Sequence, residues 1–417
     1  MSTLSHEETI SFEYRFSSNP EEHENALKSR RGLMAAFANE LQQKAPSNTV
    51  YDSLQLYPVE RAGKSGSEVF YLDVFSSSIQ YPRRFIAKFQ NIKNTEREYD
   101  AAHNAMWAQW VPPVSKYIDS NTEFGVLICD LAKIGNHCEF RKFFLSDKSS
   151  EDCAEALASI FRDMGIKLNN ATPKKSFLVD FNRYVSRSNK PLERLESLYK
   201  SGDSRLGIDI LAGEILAAHK KISEMFVFDV APCLIHGDLH ARNLMVNFNE
   251  PAKTELIDFG WVDYGHPAKD YVLMEVTLKL MLMNEFLALR TKTTRESLHL
   301  PPSVYEAFEV YLCKHGMTLP DITDFSSFFD EFNYLHHEQI HVITRVYTCI
   351  KTIRRAANAS LKQYCNDHYE GLFKSVDIHY FSSMFLVTLG LSSMVEMEPI
   401  WTLIGLTKMG ARIWESE

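Results

Sequence analysis

The sequence lacks the basic excess that nucleic-acid-binding and membrane-surface proteins usually carry. It has 45 Lys and Arg residues against 54 Asp and Glu residues, so its formal net charge is −9. Both classes of protein normally need positive charge to meet phosphate groups. We therefore expect no nucleic-acid partner, and any bound polyanion would need a local site that opposes the overall charge.

Long apolar runs, leader-like segments and closely spaced cysteines are also missing. The longest uncharged stretch, residues 380–395, is too short to span a bilayer and predicts a buried helix. The first 16 residues contain neither a basic nor an apolar region, so we expect no signal peptide. The seven cysteines include no C-x-x-C pair, which argues against a zinc ribbon or a disulfide framework. These features predict a cytoplasmic protein without a membrane span.

The 417 residues have the composition of a folded protein, with 45% hydrophobic and 24% charged residues. Residues 1–47 predict a helical extension, with Asn19 as the cap, Pro20 in the first turn and Glu22 completing a capping pattern. This helix would either pack on the main fold or form a partner-binding arm.

A small β-rich lobe and a large helical lobe are expected to follow. In residues 48–130, β-branched and aromatic residues predict strands at 67–75, 83–89 and 125–131, and Thr95 is expected to begin a helix before the third strand. Residues 131–417 form the second lobe. Its amphipathic patterns predict helices at 151–164, 208–225, 270–289, 303–315 and 332–361.

One β-like island, residues 233–260, interrupts the helical lobe and carries its most reactive side chains. Two short apolar strands place Asp238, Asn243 and Asp258 near their ends. Two carboxylates and a carboxamide offer oxygen ligands that suit Mg²⁺ better than zinc. Taken singly, these residues could be turn formers. Together they form H-x-D-x-x-x-x-N followed fifteen residues later by an aspartate in I-D-F-G, which favours a catalytic site.

These motifs resemble the aminoglycoside phosphotransferase and choline kinase branch of the protein-kinase-like phosphotransferases. HGDLHARN at 236–243 is similar to the catalytic loop of that branch, and IDFG at 257–260 to its metal-binding strand end. GHPAKDYVLMEV at 265–276 resembles the segment that follows, and is also similar to ternary-complex-associated kinase-like domains. The resemblance implies an α+β, two-lobed protein-kinase-like fold with a small β-rich N-lobe and a large helical C-lobe.

The resemblance also implies roles for the island residues. Asp238 would be the catalytic base, and Asn243 and Asp258 would hold Mg²⁺ against the phosphates of ATP. His236 would support the catalytic loop, and Asp270 would brace it from the next helix. His240 would lie near the transferred phosphate or the substrate, unless it is only a half-buried loop histidine.

The N-lobe would supply the nucleotide-binding residues. Lys88 lies in an otherwise apolar strand, where it needs a partner unless its ammonium reaches water at a sheet edge. It resembles the lysine of the V-A-I-K strand, which binds the α- and β-phosphates. Glu96 or Glu98 would then pair with Lys88, and we favour Glu98.

Two further segments resemble parts of the nucleotide site. Gly63, Ser65 and Gly66 would let backbone N–H groups approach phosphates, although the G-x-G-x-x-G spacing is absent. A Walker A motif is excluded, because residue 58 is proline where its first glycine would stand. Residues 127–131, with Cys129 and Leu131, resemble the hinge whose backbone binds adenine.

A competing signal lies in residues 337–341. His337, Glu338 and His341 satisfy H-E-x-x-H, which on a helix could bind zinc with the glutamate as general base. That pattern would indicate a metallopeptidase, although no third ligand is marked beyond the possible Glu370. A polar helix face rich in histidine is the simpler interpretation.

The resemblance therefore predicts an ATP- and Mg²⁺-dependent transfer of the γ-phosphoryl group to a hydroxyl of a small molecule. Only nine residues separate Gly260 from Asp270, and no activation segment with an A-P-E end is present. Two alternatives remain: a kinase-like enzyme that modifies protein by phosphorylation or nucleotidyl transfer, and a non-catalytic nucleotide-binding module.

Overall fold

The computed structural model describes most of the chain. The described residues are 9–46 without 15, 49–59, 67–77, 82–104, 109–130 without 122, 137–164 without 163, 175–185, 193, 195–196, 208–227, 229–368, and 375–415 without 393 and 395. The chain forms two compact units. The first comprises Met1–His137 with Glu255–Trp261, and the second comprises Cys138–Thr254 with Val262–Glu417.

The first unit is built on a six-stranded sheet. Its strands are β1 (Ile10–Phe12), β2 (Tyr51–Pro58), β3 (Glu68–Ser76), β4 (Arg83–Asn91), β5 (Val114–Asp119) and β6 (Phe124–Asp130). Their spatial order is β1-β2-β3-β4-β6-β5. β1 pairs with β2 in parallel, whereas the other neighbours are antiparallel. The three strands expected from the sequence are β3, β4 and β6.

The N-terminal helix shares a core with this sheet. Helix α1 (Pro20–Gln43) directs Met34 and Phe37 into the same apolar cluster as Leu56, Leu72 and Phe85 of the sheet. Burying large apolar side chains of this kind stabilises the fold by about 1.5–3 kcal/mol each. Within the first unit, α1 is therefore packed on the main fold.

The cap of α1 differs in detail from the expected pattern. The Asn19 side chain accepts a hydrogen bond from the Glu21 N–H at 3.0 Å. The Asn19 N–H donates to the Ser17 hydroxyl, and that hydroxyl donates to Glu22. Glu22 thus reaches the cap through Ser17 rather than directly, because the serine hydroxyl lies in between.

The second unit is mostly helical. Its helices are α3 (Phe140–Leu145), α4 (Ser150–Phe161), α5 (Phe177–Val185), α6 (Ile208–Met225), α7 (Ala268–Thr277), α8 (Met283–Thr294), α9 (Pro302–His315), α10 (Ile322–Phe325), α11 (His337–His368), α12 (Val376–Leu391) and α13 (Pro399–Glu415). Helix α2 (Ile92–Ala102) belongs to the first unit. Every helical region expected from the sequence contains a helix.

Short strands and irregular turns complete the chain. The strands are β7 (His137–Glu139), β8 (Lys175–Ser176), β9 (Asp229–Val230), β10 (Cys233–Ile235), β11 (Leu244–Asn247), β12 (Thr254–Leu256) and β13 (Asp263–Gly265). β10 pairs with β13, and β8 pairs with β9. A π-helical turn at Leu278–Leu282 joins α7 to α8. The helix expected at 332–361 begins later because His336 caps it, its ring accepting from the Glu338 N–H while Gln339 accepts from the His336 N–H.

Helix α7 is anchored by buried charges. Two guanidinium nitrogens of Arg354 donate to the Glu275 carboxylate at 3.0 and 2.6 Å, and Tyr380 donates to it at 2.7 Å. Lys279 lies 2.9 Å from Glu309. Burial alone would raise the pKa of Glu275, but Arg354 and Lys279 lower it to about 2. This network fixes the helix that begins beside the catalytic-loop candidate.

The uncharged stretch at 380–395 overlaps α12, whose side chains are almost all buried. A helix that is apolar all round belongs in a protein core. In the part of the chain that the structure describes, no helix is both long enough and apolar enough to cross a bilayer.

Candidate functional site

Within the first unit, the side chain of Lys88 lies between two carboxylates. Its ammonium nitrogen is 3.0 Å from Glu98 Oε1 and 2.8 Å from Asp258 Oδ1. Lys88 comes from β4, Glu98 from α2 and Asp258 from the segment that follows β12. Three separate parts of the sequence therefore supply one charged cluster.

Local capping explains why Glu98, and not Glu96, faces the lysine. Asn91 is the last residue of β4, and its side chain caps α2 by accepting a hydrogen bond from the Asn94 N–H at 2.8 Å. Thr95, expected as the cap, lies one turn inside the helix, and its hydroxyl donates to the Asn91 carbonyl. With this start, Glu98 falls on the buried face and Glu96 on the exposed face.

The backbone at 258–260 is held close against the cluster. Asp258 has a φ of 63°, which few residues other than glycine adopt. A Cβ atom on Gly260 would lie 3.3 Å from Asp258 Oδ1 and 3.8 Å from Lys88 Nζ. Arg97 of α2 donates to the Gly260 carbonyl at 2.9 Å. Strained backbone of this kind concentrates at functional sites.

The charged groups of the cluster shift one another's pKa values. Burial alone would lower the pKa of Lys88, but Asp258 and Glu98 raise it above its ordinary value. Burial raises the pKa of Glu98, and Lys88 opposes that effect. The lysine therefore stays cationic and can bind an anion without proton uptake.

Within the second unit, the segment 236–243 is braced from α7. The Asp270 carboxylate accepts from the backbone N–H groups of His236 and Gly237, both at 2.8 Å. Gly237 has a φ of 76°, so a residue with a side chain would be strained there. Tyr184 of α5 donates to the Gly237 carbonyl at 2.5 Å. Burial raises the pKa of Asp270, although His236 and the two N–H donors act against it.

Asp238, Asn243 and His240 meet inside this loop. The Asn243 amide nitrogen donates to the Asp238 carbonyl at 2.8 Å and lies 3.3 Å from its carboxylate. His240 Nδ1 accepts from the Arg242 N–H, so the ring proton resides on Nε2. That nitrogen lies 3.7 Å from Asp238 Oδ2. The loop thus presents a half-exposed carboxylate with an amide on one side and an N–H group on the other.

The hinge and phosphate-loop expectations are only partly covered by the described residues. Cys129 lies in β6, opposite Ile86 of β4 and Val114 of β5. Burial raises the pKa of its thiol to about 12, which leaves it unsuited to act as a nucleophile. Gly63, Ser65, Gly66 and Leu131 lie outside the described residues.

The H-E-x-x-H segment forms the first turn of α11, where His337 Nε2 and His341 Nδ1 each lie 3.8 Å from the Glu338 carboxylate. Arg345 donates to His341 Nε2 at 3.2 Å, which occupies one ring nitrogen. His337 is 77% exposed. Among the described residues, no group of three or more His, Cys, Asp and Glu side chains is placed to hold a metal ion. Glu370 lies outside those residues. The simpler interpretation, a polar helix face, accounts for this geometry.

Four residues beside these clusters were not expected from the sequence. Arg97 donates a hydrogen bond to the Gly260 carbonyl, and Tyr184 donates one to the Gly237 carbonyl. Gln90 donates to the Glu98 carboxylate, and Ser67 donates to Gln90. Gln90 lies two positions beyond Lys88 and therefore on the same face of β4, which is a signal that sequence inspection could have used.

A match to one family model agrees with the motifs. Residues 80–275 match the model of the phosphotransferase enzyme family. A glucosamine kinase structure is similar with 10% identity and a TM-score of 0.46, covering 92% of this chain and 87% of that one. An ethanolamine kinase from Plasmodium vivax is similar with 13% identity and a TM-score of 0.36, covering 95% and 94%. An aminoglycoside-3'-phosphotransferase of type VIII is similar with 15% identity and a TM-score of 0.31, covering 75% and 98%. No curated protein matches the sequence.

Proposed function

We propose that this chain, whose residues 80–275 match the model of the phosphotransferase enzyme family, moves the γ-phosphoryl group of Mg·ATP to a hydroxyl of a small molecule. The observation that carries the proposal is the position of Lys88 between Glu98 and Asp258. A lysine buried in this way supplies a fixed positive charge to phosphates. The net charge of −9 means that this charge must act locally.

The donor set of the motif residues fits Mg²⁺. Asp258 offers a carboxylate, and Asn243 offers its Oδ1 oxygen because its amide nitrogen already donates to Asp238. Both are oxygen ligands of the kind that Mg²⁺ prefers. When bound, the ion would neutralise charge on the phosphates. Asn243 and Asp258 are the residues proposed to hold it.

Asp238 is proposed to orient and deprotonate the acceptor. The hydroxyl oxygen of the acceptor forms a bond to the γ-phosphorus while the bond from that phosphorus to the bridging oxygen of ADP breaks. The hydroxyl proton passes to the Asp238 carboxylate, and ADP leaves. The Asn243 amide donates to that carboxylate at 3.3 Å, and His240 Nε2 lies 3.7 Å from it. His236 is proposed to support the loop.

The test is ADP release across a panel of amino alcohols, aminoglycosides, amino sugars and nucleosides. With a true acceptor, Asp238→Asn should lower the turnover number by ~10²–10⁴-fold, because the hydroxyl loses its proton acceptor. The Kd for Mg·ATP should stay within about twofold, since the role proposed for Asp238 is toward the acceptor and not toward the nucleotide.

Intact-mass analysis of the acceptor should show the increment of one phosphoryl group. If no compound stimulates ADP release above the Asp238→Asn background, while a protein gains a phosphoryl or nucleotidyl mass, the small-molecule proposal is wrong.

A further inference from the structure

A buried hydrogen-bond relay ends at the carboxylate that pairs with Lys88. The Ser67 hydroxyl donates to Gln90 Oε1 at 3.1 Å, and Gln90 Nε2 donates to Glu98 Oε2 at 2.9 Å. Lys88 Nζ contacts both oxygens of the same carboxylate, at 3.0 Å from Oε1 and 2.9 Å from Oε2. Ser67, Gln90 and Glu98 are each less than one-tenth exposed. All four side chains belong to the first unit.

The two partners of Gln90 fix the orientation of its amide. Glu98 is a carboxylate that can only accept when ionised, so the nitrogen of Gln90 must face it. The oxygen of Gln90 then receives the Ser67 hydroxyl. The one amide thus supplies a donor toward Glu98 and an acceptor toward Ser67.

Glu98 needs this donor more than an exposed carboxylate would. Burial raises its pKa, and the nearby Asp258 adds to that effect, whereas Lys88 and the hydrogen bond from Gln90 oppose it. Losing a donor to a buried charge costs more than losing one at the surface. Without Gln90, the buried Glu98 carboxylate would have Lys88 as its main hydrogen-bond donor. The lysine ammonium would then move toward Glu98.

We propose that Gln90 is a positioning residue of the nucleotide site, which holds Glu98 so that Lys88 is presented to the phosphates. This inference rests on the proposed function and adds to it, because it assigns a role to a residue outside every motif of the sequence. Ser67 fixes the orientation of the Gln90 amide and is the outer member of the relay.

The test compares two substitutions of nearly the same shape in the full-length chain. Gln90→Met removes the donor, and Gln90→Glu replaces it with a like charge. The Kd for Mg·ATP by titration calorimetry should rise roughly 10-fold for Gln90→Met and further for Gln90→Glu. The KM for ATP should rise in the same order while the turnover number at saturating ATP changes less.

A double-mutant cycle separates positioning from simple packing. Glu98→Gln should weaken Mg·ATP binding by itself, and Gln90→Met should then add little, because its effect acts through the Glu98 carboxylate. Gln42→Met is the matched control. Gln42 also makes two hydrogen bonds, to the Thr49 carbonyl and the Tyr51 N–H, and should leave the Kd unchanged.

The outcomes distinguish this inference from the proposed function. If Lys88→Met abolishes Mg·ATP binding but both Gln90 variants bind within twofold of the wild type, the positioning role is overturned and the function stands. Fully additive effects of Gln90→Met and Glu98→Gln would overturn it too. If the wild type does not bind Mg·ATP, both proposals fall.

Discussion

At the scale of single residues, the first-unit cluster depends on one backbone conformation and one missing side chain. Asp258 adopts a φ of 63°, a region that Asp tolerates better than most residues because its short side chain can hydrogen-bond locally. Gly260 follows two positions later, where a Cβ would lie 3.3 Å from Asp258 Oδ1. The I-D-F-G segment therefore positions the Asp258 carboxylate, and its glycine leaves out the side chain that would displace that carboxylate.

Gly260→Ala should weaken Mg·ATP binding roughly 10-fold, because the added methyl group crowds Asp258 and approaches Lys88. Titration calorimetry measures the Kd. Gly32→Ala is the control, since a Cβ on Gly32 of α1 meets nothing within 4 Å. That change should raise the free energy of unfolding by about 0.5–1 kcal/mol and leave binding unaltered. An unchanged Kd for Gly260→Ala would show that the close contact of Gly260 with Asp258 does not contribute to Mg·ATP binding.

At the scale of elements, α1 is tied to the sheet by charge as well as by apolar packing. Arg30 is buried and makes two hydrogen bonds to Glu68 of β3, at 3.0 and 3.1 Å. Its guanidinium also lies 4.2 Å from the centre of the Phe124 ring. Glu68 directly follows Ser67, so the helix holds the strand at the point where the relay to Glu98 begins.

Arg30→Met should lower the free energy of unfolding by about 1–3 kcal/mol, because Glu68 loses both charge-assisted hydrogen bonds. Arg30→Lys should recover only part of this loss, since an ammonium lacks the planar fork that donates two parallel hydrogen bonds to a carboxylate. Urea denaturation measures both. Lys28→Met, at an exposed position of the same helix, should stay within about 0.5 kcal/mol of the wild type. Equal stability of Arg30→Met and Lys28→Met would show that the contact between Arg30 and Glu68 does not help to hold α1 on the sheet.

At the scale of the whole molecule, the sequence predicts what is local and misses what is distant. Three of the six sheet strands, β3, β4 and β6, and the amphipathic helices follow from side-chain periodicity, whereas β1, β2 and β5 were not expected. The catalytic-loop candidate follows from residue spacing within eight positions. The position of Asn91 as the cap of α2 was missed, because Thr95 offers an equally good local signal. Gln90 was missed because a glutamine in a strand has no distinctive pattern until its partners, Ser67 and Glu98, are seen beside it.

Pairs of residues far apart in the sequence also escaped prediction, and one of them should govern the pH dependence of stability. His266 and His379, 113 positions apart, are buried with 3.0 Å between His266 Nε2 and His379 Nδ1. His266 Nδ1 accepts from the Ala268 N–H, so the proton between the rings resides on His266 and both rings are neutral. Burial lowers the pKa of His266 well below its ordinary value and that of His379 to about 4.

Neutral burial of two histidines should make the chain less stable as the pH falls. An unfolded histidine titrates near pH ~6.5, so below that value the unfolded chain binds protons that the folded chain refuses. The stability contributed by each neutral ring is complete above pH ~6.5 and is lost progressively toward pH 4. The loss is on the order of 2 kcal/mol for each ring by pH 5.

Urea denaturation between pH 7.5 and 5 should therefore show a free energy of unfolding that falls less steeply in a His266→Gln, His379→Gln double variant than in the wild type. His337→Gln, at an exposed position, should follow the wild-type slope. Parallel slopes for the wild type and the double variant would mean that the buried pair does not set the acid limit of this fold.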